Sequence, residues 1–269
     1  MTNTKFNILI IDDEKIIIDA VVKIAGTEGY TVDTSQSAVE AIEKIKRTSY
    51  DLIITDIMMP EIDGFQLIDK LEKLRTKTPV VVTTGYSTVD FAVKALQKGA
   101  IAYLPKPFTS EELISIIKRG IEYKKIAEEI EKEQFAENSS HIIYVPCPPK
   151  YYRLGHNTWI NIGDEGLVVV GVTDLYLKTI NSVEKLKLMT PEENLIQGNT
   201  CAYIFTNDGC VHQLLAPLSG LIIDTNKQLA TEAELLEKDP YFGGWIYKII
   251  PSDLDNELKN LISCSTDRI

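Results

Sequence analysis

No apolar run in the sequence approaches the roughly 20 residues that cross a bilayer; stretches such as Leu167–Val170 end after four residues. A membrane-spanning helix is therefore not expected. The N-terminus has one early lysine and a short apolar run closed by Asp12-Asp13, so it does not read as a signal peptide. Cysteine is scarce. Cys147, Cys201, Cys210 and Cys264 show no C-x-x-C spacing and are too few to staple 269 residues, which points to a reducing cytoplasm. Basic charge is also short, with 28 Lys+Arg against 39 Asp+Glu, a net −11. The deficit is shared: residues 1–139 hold 18 basic and 23 acidic side chains, and residues 140–269 hold 10 and 16. Because neutralising phosphates supplies most non-specific nucleic-acid affinity, and no Lys/Arg run is present, no nucleic-acid partner is expected. What is present is ordinary for globular protein: 44% hydrophobic and 25% charged residues, in a length that fits two domains of about 150 residues each.

In the first half, short runs rich in Ile and Val alternate with helical stretches. Asn7–Ile11, Tyr30–Thr34, Leu52–Thr55, Val80–Thr83 and Ile101–Leu104 read as strands. Between them, Glu14–Glu28, Ala38–Thr48, Phe65–Leu74 and Val89–Lys98 space apolar residues by three and four, as amphipathic helices do. Alternating βα units predict a parallel sheet covered on both faces.

Ligands of open parallel sheets bind beyond the carboxyl ends of the strands, so the polar residues closing each strand are the candidate site. The first strand ends in Asp12-Asp13, the third in Asp56, the fourth in Thr83-Thr84, and the fifth runs into Lys106-Pro107. Carboxylates brought together raise one another's pKa unless a cation joins them. A hard divalent ion with oxygen ligands, Mg²⁺ above all, meets that need. A carboxylate beside Mg²⁺, an ammonium and a hydroxyl can accept a phosphoryl group.

Residues 6 to about 123 resemble the receiver domain of two-component response regulators. The resemblance rests on Ile11-Asp12-Asp13-Glu14, on Asp56-Ile57-Met58-Met59-Pro60 with Asp63-Gly64, on Thr84-Gly85, and on Tyr103-Leu104-Pro105-Lys106-Pro107-Phe108. It implies a flavodoxin-like α/β domain with a five-stranded parallel sheet. It implies Asp56 as phosphoacceptor, with Asp12, Asp13, Asp56 and the Met58 backbone carbonyl binding Mg²⁺. Thr84 and Lys106 would contact the phosphoryl group, and Thr84 and Tyr103 would act as the switch pair. The Lys106-Pro107 bond matches one that is typically cis in this family. Met58 and Tyr86, two residues beyond Asp56 and Thr84, are large for their positions. Shielding by them predicts a long-lived phosphorylated form.

Helical spacing continues past the receiver through Leu113, Ile116, Ile117, Gly120, Tyr123, Ala127 and Ile130, to about Gln134, with Asn138-Ser139-Ser140 as a stop. This helix is read either as a solvated extension or as the seam of a homodimer over 110–134. The expected division is a receiver over 1–123, a helical linker over 124–140, and a β domain with a short C-terminal helix over 141–269.

After Pro146-Cys147-Pro148-Pro149 the pattern becomes short runs split by turns: 158–162, 166–172, 179–182, 202–206, 211–216, 221–224 and 245–249. Such spacing predicts a sandwich or barrel. Asn161–Glu165 reads as a hairpin turn, as does Asn207-Asp208-Gly209, whose Asp-Gly pair suits a type I′ connection. Residues 156–262 resemble the H protein of the glycine cleavage system, a lipoyl carrier with a barrel-sandwich fold. The matching pieces are His156-Asn157-Thr158-Trp159, Val170-Gly171-Val172-Thr173-Asp174, Ala216-Pro217-Leu218-Ser219-Gly220 and Asp239-Pro240-Tyr241 with Gly243-Gly244-Trp245-Ile246-Tyr247-Lys248. The family's function rests on a lipoylated lysine at a hairpin turn. Here that turn falls on residues 207–210, Gly209 takes the lysine's place, and no lysine occurs from Leu188 to Asn226. No lipoate is expected, and the fold alone gives no licence for the carrier's function.

Cys210 and His212, two apart on a predicted strand, share a face. Thiol and imidazole could form a nucleophile or sulfur carrier, although burial is the commoner fate of cysteine. A metal site from Cys201, Cys210 and His212 lacks a fourth ligand and the usual spacing. The expected function is that of a cytoplasmic response regulator. A sensor histidine kinase is its upstream partner, and the H-protein-like output binds a protein partner yet to be identified. It turns over no external substrate and so is not an enzyme. The rival readings are an output with carrier or enzyme-like chemistry on Cys210, and a transcriptional regulator.

Overall fold

The computed structural model describes residues 6–85, 88–134, 143–163 and 166–266. The chain divides into two compact units, residues 1–88 with 98–129, and residues 89–97 with 130–269.

In the first unit, strands β1 (Asn7–Ile11), β2 (Thr31–Ser35), β3 (Leu52–Asp56), β4 (Val80–Thr84) and β5 (Ala102–Pro105) form one parallel sheet in the order β2-β1-β3-β4-β5. Helix α1 (Lys15–Thr27) follows β1, α2 (Ala38–Arg47) follows β2, α3 (Gly64–Lys73) follows β3, α4 (Val89–Gln97) follows β4, and α5 (Ser110–Gln134) follows β5. Ile8, Leu9, Ile10, Leu52, Ile53, Ile54, Val81 and Val82 are all but inaccessible to solvent. Strands buried on both faces need continuous apolar runs rather than alternation, which is what the sequence carries here. Because every strand is parallel, all the carboxyl ends lie on one edge, and the predicted site residues follow them.

The second unit is mostly β. It contains β6 (Tyr152–Leu154), β7 (Thr158–Ile162), β8 (Val168–Val172), α6 (Asp174–Lys178), β9 (Val183–Leu188), β10 (Asn194–Leu195), β11 (Thr200–Thr206), β12 (Val211–Leu215), β13 (Gly220–Thr225), α7 (Leu235–Lys238), β14 (Tyr247–Pro251), α8 (Leu254–Glu257) and β15 (Ile262–Ser263). A seven-stranded sheet runs β10-β13-β14-β8-β7-β6-β15, and a three-stranded sheet runs β12-β11-β9. Tyr247 on β14 joins the two: its hydroxyl donates to the Cys201 carbonyl on β11 (2.7 Å) and accepts from the Met189 N–H (2.8 Å). Trp159 is buried, and its indole N–H is shared between the carbonyls of Val172 (2.9 Å) and Pro240 (3.1 Å).

Two expectations change. Thr179–Ser182 is not a strand. Thr173 caps α6 by accepting from the Tyr176 N–H (3.2 Å), and the Thr179 hydroxyl donates to the Tyr176 carbonyl at the helix end (2.6 Å), so local hydroxyl bonds override β-branched propensity. The turn at 207–209 is not type I′, which needs positive φ at two residues. Only Gly209 has it (φ 78°), and the N–H of Thr206 pairs with the carbonyl of Cys210 (3.1 Å), closing a three-residue loop with glycine at its left-handed position. The predicted turn at 161–165 and the stop at Asn138-Ser139-Ser140 fall in whole or part outside the described residues.

Candidate functional site

Asp12 follows β1, Asp56 ends β3, Thr84 ends β4 and Lys106 follows β5. Their positions are fixed by backbone bonds across the strand ends: Asp12 N–H to Ser35 O (3.1 Å), Ile57 N–H to Thr83 O (3.0 Å) and Lys106 N–H to Thr84 O (2.8 Å). The Lys106-Pro107 peptide is cis. Asp12, Asp56 and Thr84 are buried, whereas Asp13 is exposed.

Asp12, Asp13 and Asp56 each offer an oxygen to a common point, all three within 4.8 Å of one another. Lys106 Nζ lies 2.7 Å from Asp12 Oδ2 and 3.5 Å from Asp56 Oδ1, with Glu14 Oε1 at 3.6 Å. The charges attract at these distances, and Asp12 Oδ2, Asp56 Oδ1 and Lys106 Nζ are buried without a hydrogen-bond partner. Burial lifts both the Asp12 and Asp56 carboxyls above the ordinary carboxylate range, despite the opposing pull of Lys106. Burial also works against the Lys106 ammonium, yet Asp12, Asp56 and Glu14 together hold its pKa above the usual lysine range. Unsatisfied buried carboxylate oxygens converging with an all-oxygen donor set are what a hard divalent cation requires. The residues present fit Mg²⁺.

The loop after β3 is shaped by α3. Asp63 caps that helix, accepting from the Gln66 N–H (2.7 Å), while the Gln66 side chain accepts from the Asp63 N–H (3.2 Å). Gly64 then brings the helix start against the end of β3, where a Cβ would meet the Asp56 carbonyl at 2.4 Å. Any side chain at Gly64 would push Asp56 out of place. Neither this contact nor Glu14 was singled out as functional from the sequence; the signals were the Asp-Gly pair closing the acceptor motif and the third acidic residue of Asp12-Asp13-Glu14. Met58 is 48% exposed, so its side chain is not absorbed by the core. Tyr86 lies outside the described residues. Tyr103 is half-buried, its hydroxyl lacks a hydrogen-bond partner, and burial pushes that hydroxyl up to about 12.

In the second unit the turn at 207–209 carries Asp208 at its tip. Burial opposes ionisation of Asp208, but hydrogen bonds from Thr206 Oγ1 (2.6 Å), Cys210 and Asn181 (2.8 Å) outweigh it and hold the carboxyl down at about 2. Cys210 is half-exposed and directed to that carboxylate. His212 is buried, with Nε2 3.5 Å from Thr206 Oγ1. Cys201 is buried on β11, and burial pushes its thiol up to about 12. Among the described residues the Asp12, Asp13, Asp56 group alone forms a three-ligand cluster, so Cys201, Cys210 and His212 do not converge as a metal site.

The family model of the response regulator receiver domain matches residues 8–118, and that of the glycine cleavage H-protein matches residues 150–267. The chain joins a response regulator receiver domain to a glycine cleavage H-protein domain. Relatives of the receiver-bearing chain include the probable transcriptional regulator ycf29 of Porphyra purpurea, 28% identical over 67% of this chain and 85% of that protein. Response regulator MprA of Mycobacterium ulcerans (strain Agy99) is 30% identical over 54% of this chain and 63% of its own length. The DNA-binding transcriptional regulator NtrC of Escherichia coli (strain K12) is 32% identical over 42% of this chain, which spans only 24% of NtrC. Among solved structures, a CheY-like receiver domain protein from Methanospirillum hungatei JF-1 is 33% identical, with TM-score 0.43, covering 45% of this chain and 98% of its own. A glycine cleavage system H protein from Mycobacterium marinum is 25% identical, with TM-score 0.37, covering 39% of this chain and 87% of its own.

Proposed function

We propose that the protein is a two-component response regulator phosphorylated on Asp56 by a sensor histidine kinase, and that its H-protein-like domain is a non-lipoylated module that binds a protein partner. The observation that carries this reading is the convergence of Asp12, Asp13 and Asp56 with Lys106 at the strand ends. An Asp56 carboxylate oxygen attacks the phosphorus of the donor's phosphohistidine, and the imidazole leaves. Asp12, Asp13, Asp56 and the Met58 carbonyl would hold Mg²⁺, which supplies positive charge to the phosphoryl oxygens. Lys106 brings a buried ammonium to the same oxygens, and the Thr84 hydroxyl offers a hydrogen bond to them. Engagement of Thr84 draws the end of β4 inward, and Tyr103, whose hydroxyl has no partner to hold it, is free to follow. Phosphorylation so favours one conformer over another.

The protein turns over no external substrate in this reading; the receiver assists only its own phosphorylation and dephosphorylation. The relatives described as DNA-binding regulators match this chain over a receiver's length, and the acidity of residues 140–269, 10 basic against 16 acidic side chains, argues against a nucleic-acid partner. Chemistry on Cys210 is disfavoured, because its thiol is already engaged with the Asp208 carboxylate at the turn.

With Mg²⁺ and acetyl phosphate, the intact mass of wild type rises by one phosphoryl group and that of Asp56→Asn does not. Shielding by Met58 makes the adduct last for minutes, and decay within seconds counts against the shield. A wild type that gains no mass overturns the acceptor assignment. For the output, affinity capture with acetyl-phosphate-treated wild type retains a protein in a different amount than Asp56→Asn does; equal capture by both excludes a phosphorylation-dependent module.

A further inference from the structure

Cys147 and Cys264, 117 residues apart in sequence, meet in the second unit with their sulfurs 2.6 Å apart. Both are buried, and neither is in a disulfide. The meeting is set by backbone. β15 pairs antiparallel with β6, matching Ser263 to Tyr152, and the next N–H, that of Cys264, donates to the Tyr151 carbonyl (3.0 Å). On the other side, Pro146, Pro148 and Pro149 restrict the chain around Cys147. Tyr151, Trp159 and Tyr241 pack round the two thiols. The separation exceeds the covalent sulfur–sulfur length of about 2.04 Å by only about 0.6 Å, so bond formation needs no rearrangement of the sheet.

A small cavity supplies access. It is lined by Cys147, Arg153, His156 and Tyr241 among others, and Cys264 is not part of its wall. Cys147 thus borders a space of about the size of one water molecule, which Cys264 does not line. The remaining cysteines are arranged differently: Cys201 is buried inside the sandwich, and Cys210 stands half-exposed at the turn.

We propose that Cys147 and Cys264 are a reversible dithiol–disulfide modification site that responds to hydroperoxides. The Cys147 thiolate attacks the peroxide oxygen; the O–O bond breaks, the departing oxygen leaves as water after taking a proton, and Cys147 becomes a sulfenic acid. The Cys264 thiolate then attacks the Cys147 sulfur, the S–O bond breaks, and the hydroxyl leaves as a second water. Two thiols and one hydrogen peroxide give one disulfide and two waters: the thiols lose two electrons and the peroxide gains them. A dithiol reductant reverses the bond by thiol–disulfide exchange. The closed bond ties the chain just ahead of β6 to the residue just after β15, locking the two ends of the domain. This input is separate from the chemistry at Asp56.

The test uses the full chain, reduced and then exposed to hydrogen peroxide for increasing times, with remaining thiols alkylated by N-ethylmaleimide under denaturing conditions. Wild type is expected to pass from four labels to two, with one peptide pair linking Cys147 to Cys264, formed at least ten times faster than any disulfide containing Cys210 and reversed by dithiothreitol. In Cys264→Ser, dimedone should capture a sulfenic acid on Cys147. The wild-type map decides the matter even if that variant folds poorly. Full labelling of both residues after Cys210 has been oxidised, or a Cys147–Cys264 link found only in disulfide-linked dimers on non-reducing gels, overturns the proposal. Neither result bears on acetyl phosphate labelling of Asp56.

Discussion

Two buried carboxylates and one ammonium leave the acceptor site with excess negative charge and unsatisfied oxygens, and this sets how the domain responds to cation and to pH. Burial raises the Asp12 and Asp56 constants above their unfolded value of 3.8. Without metal, the folded state therefore binds more protons than the unfolded chain as pH rises from that value through the raised constants. Stability falls across that window, the reverse of the usual carboxylate behaviour. Mg²⁺ should abolish the fall and stabilise the fold by about 2.7 kcal/mol at a hundredfold excess over its Kd, which raises the unfolding midpoint. Thermal unfolding at several pH values, with Mg²⁺ and with EDTA, checks both effects; Asp12→Asn should lose most of the Mg²⁺ response. Asp12, Asp56, Thr84 and Lys106 could be read from sequence because a parallel sheet puts every strand's carboxyl end on one edge, so order along the chain is enough to group them. Gly64 could not be read that way, since its contact with the Asp56 carbonyl depends on where α3 lands.

Elements with continuous or strictly alternating apolar runs, β1, β3, β4 and β7, lie where the residues alone put them. β9 was not read as a strand: its Glu184, Lys185 and Lys187 point away from the core, and Lys185 and Lys187 instead lie over the rings of Phe205 and Tyr203 on the neighbouring strand, at 4.7 and 5.7 Å to the ring centres. Cross-strand cation–aromatic pairing of this kind depends on register, which no local pattern supplies. β6, β10 and β15, of two or three residues, are too short to carry a period. Side-chain hydroxyls bridge the two sheets: Tyr247 reaches the Cys201 carbonyl, and Thr158 on β7 donates to the Leu215 carbonyl on β12 (2.8 Å). Tyr247→Phe keeps the ring and removes both the bond to the Cys201 carbonyl and the acceptor of the Met189 N–H, so it should cost about 1–3 kcal/mol in urea unfolding, with the secondary structure retained. A change indistinguishable from zero would mean that the Tyr247 hydroxyl adds nothing to the apolar packing and the Thr158 bond between the sheets.

For the whole molecule, the long helix α5 bears on self-association. Its Leu113, Ile117 and Ile121 are consumed in the core of their own domain and Tyr123 packs against it, leaving Ala127 and Ile130 as the remainder of a seam over 110–134. That is less than a coiled coil needs, so sedimentation should give the monomer mass of 30.2 kDa at micromolar concentration. A dimer that Ile130→Glu dissociates would restore the seam. The pairing of Cys147 with Cys264 was illegible for a related reason: cysteine counting ranks spacing along the chain, whereas these two meet through β6 and β15 at opposite ends of a domain. The turn at residues 207–209 has one more consequence. Enzymes that attach lipoate compete for a limited supply of activated acid, and each carrier displayed in the cell is a consumer of it. With glycine where the amine would stand, and no lysine between Leu188 and Asn226, this turn gives those enzymes nothing to acylate. If the protein is the regulator proposed above, a cell should be able to change its amount without altering the acylation of lipoyl carriers, which lipoyl-lysine immunoblots of cells with and without overproduction would check.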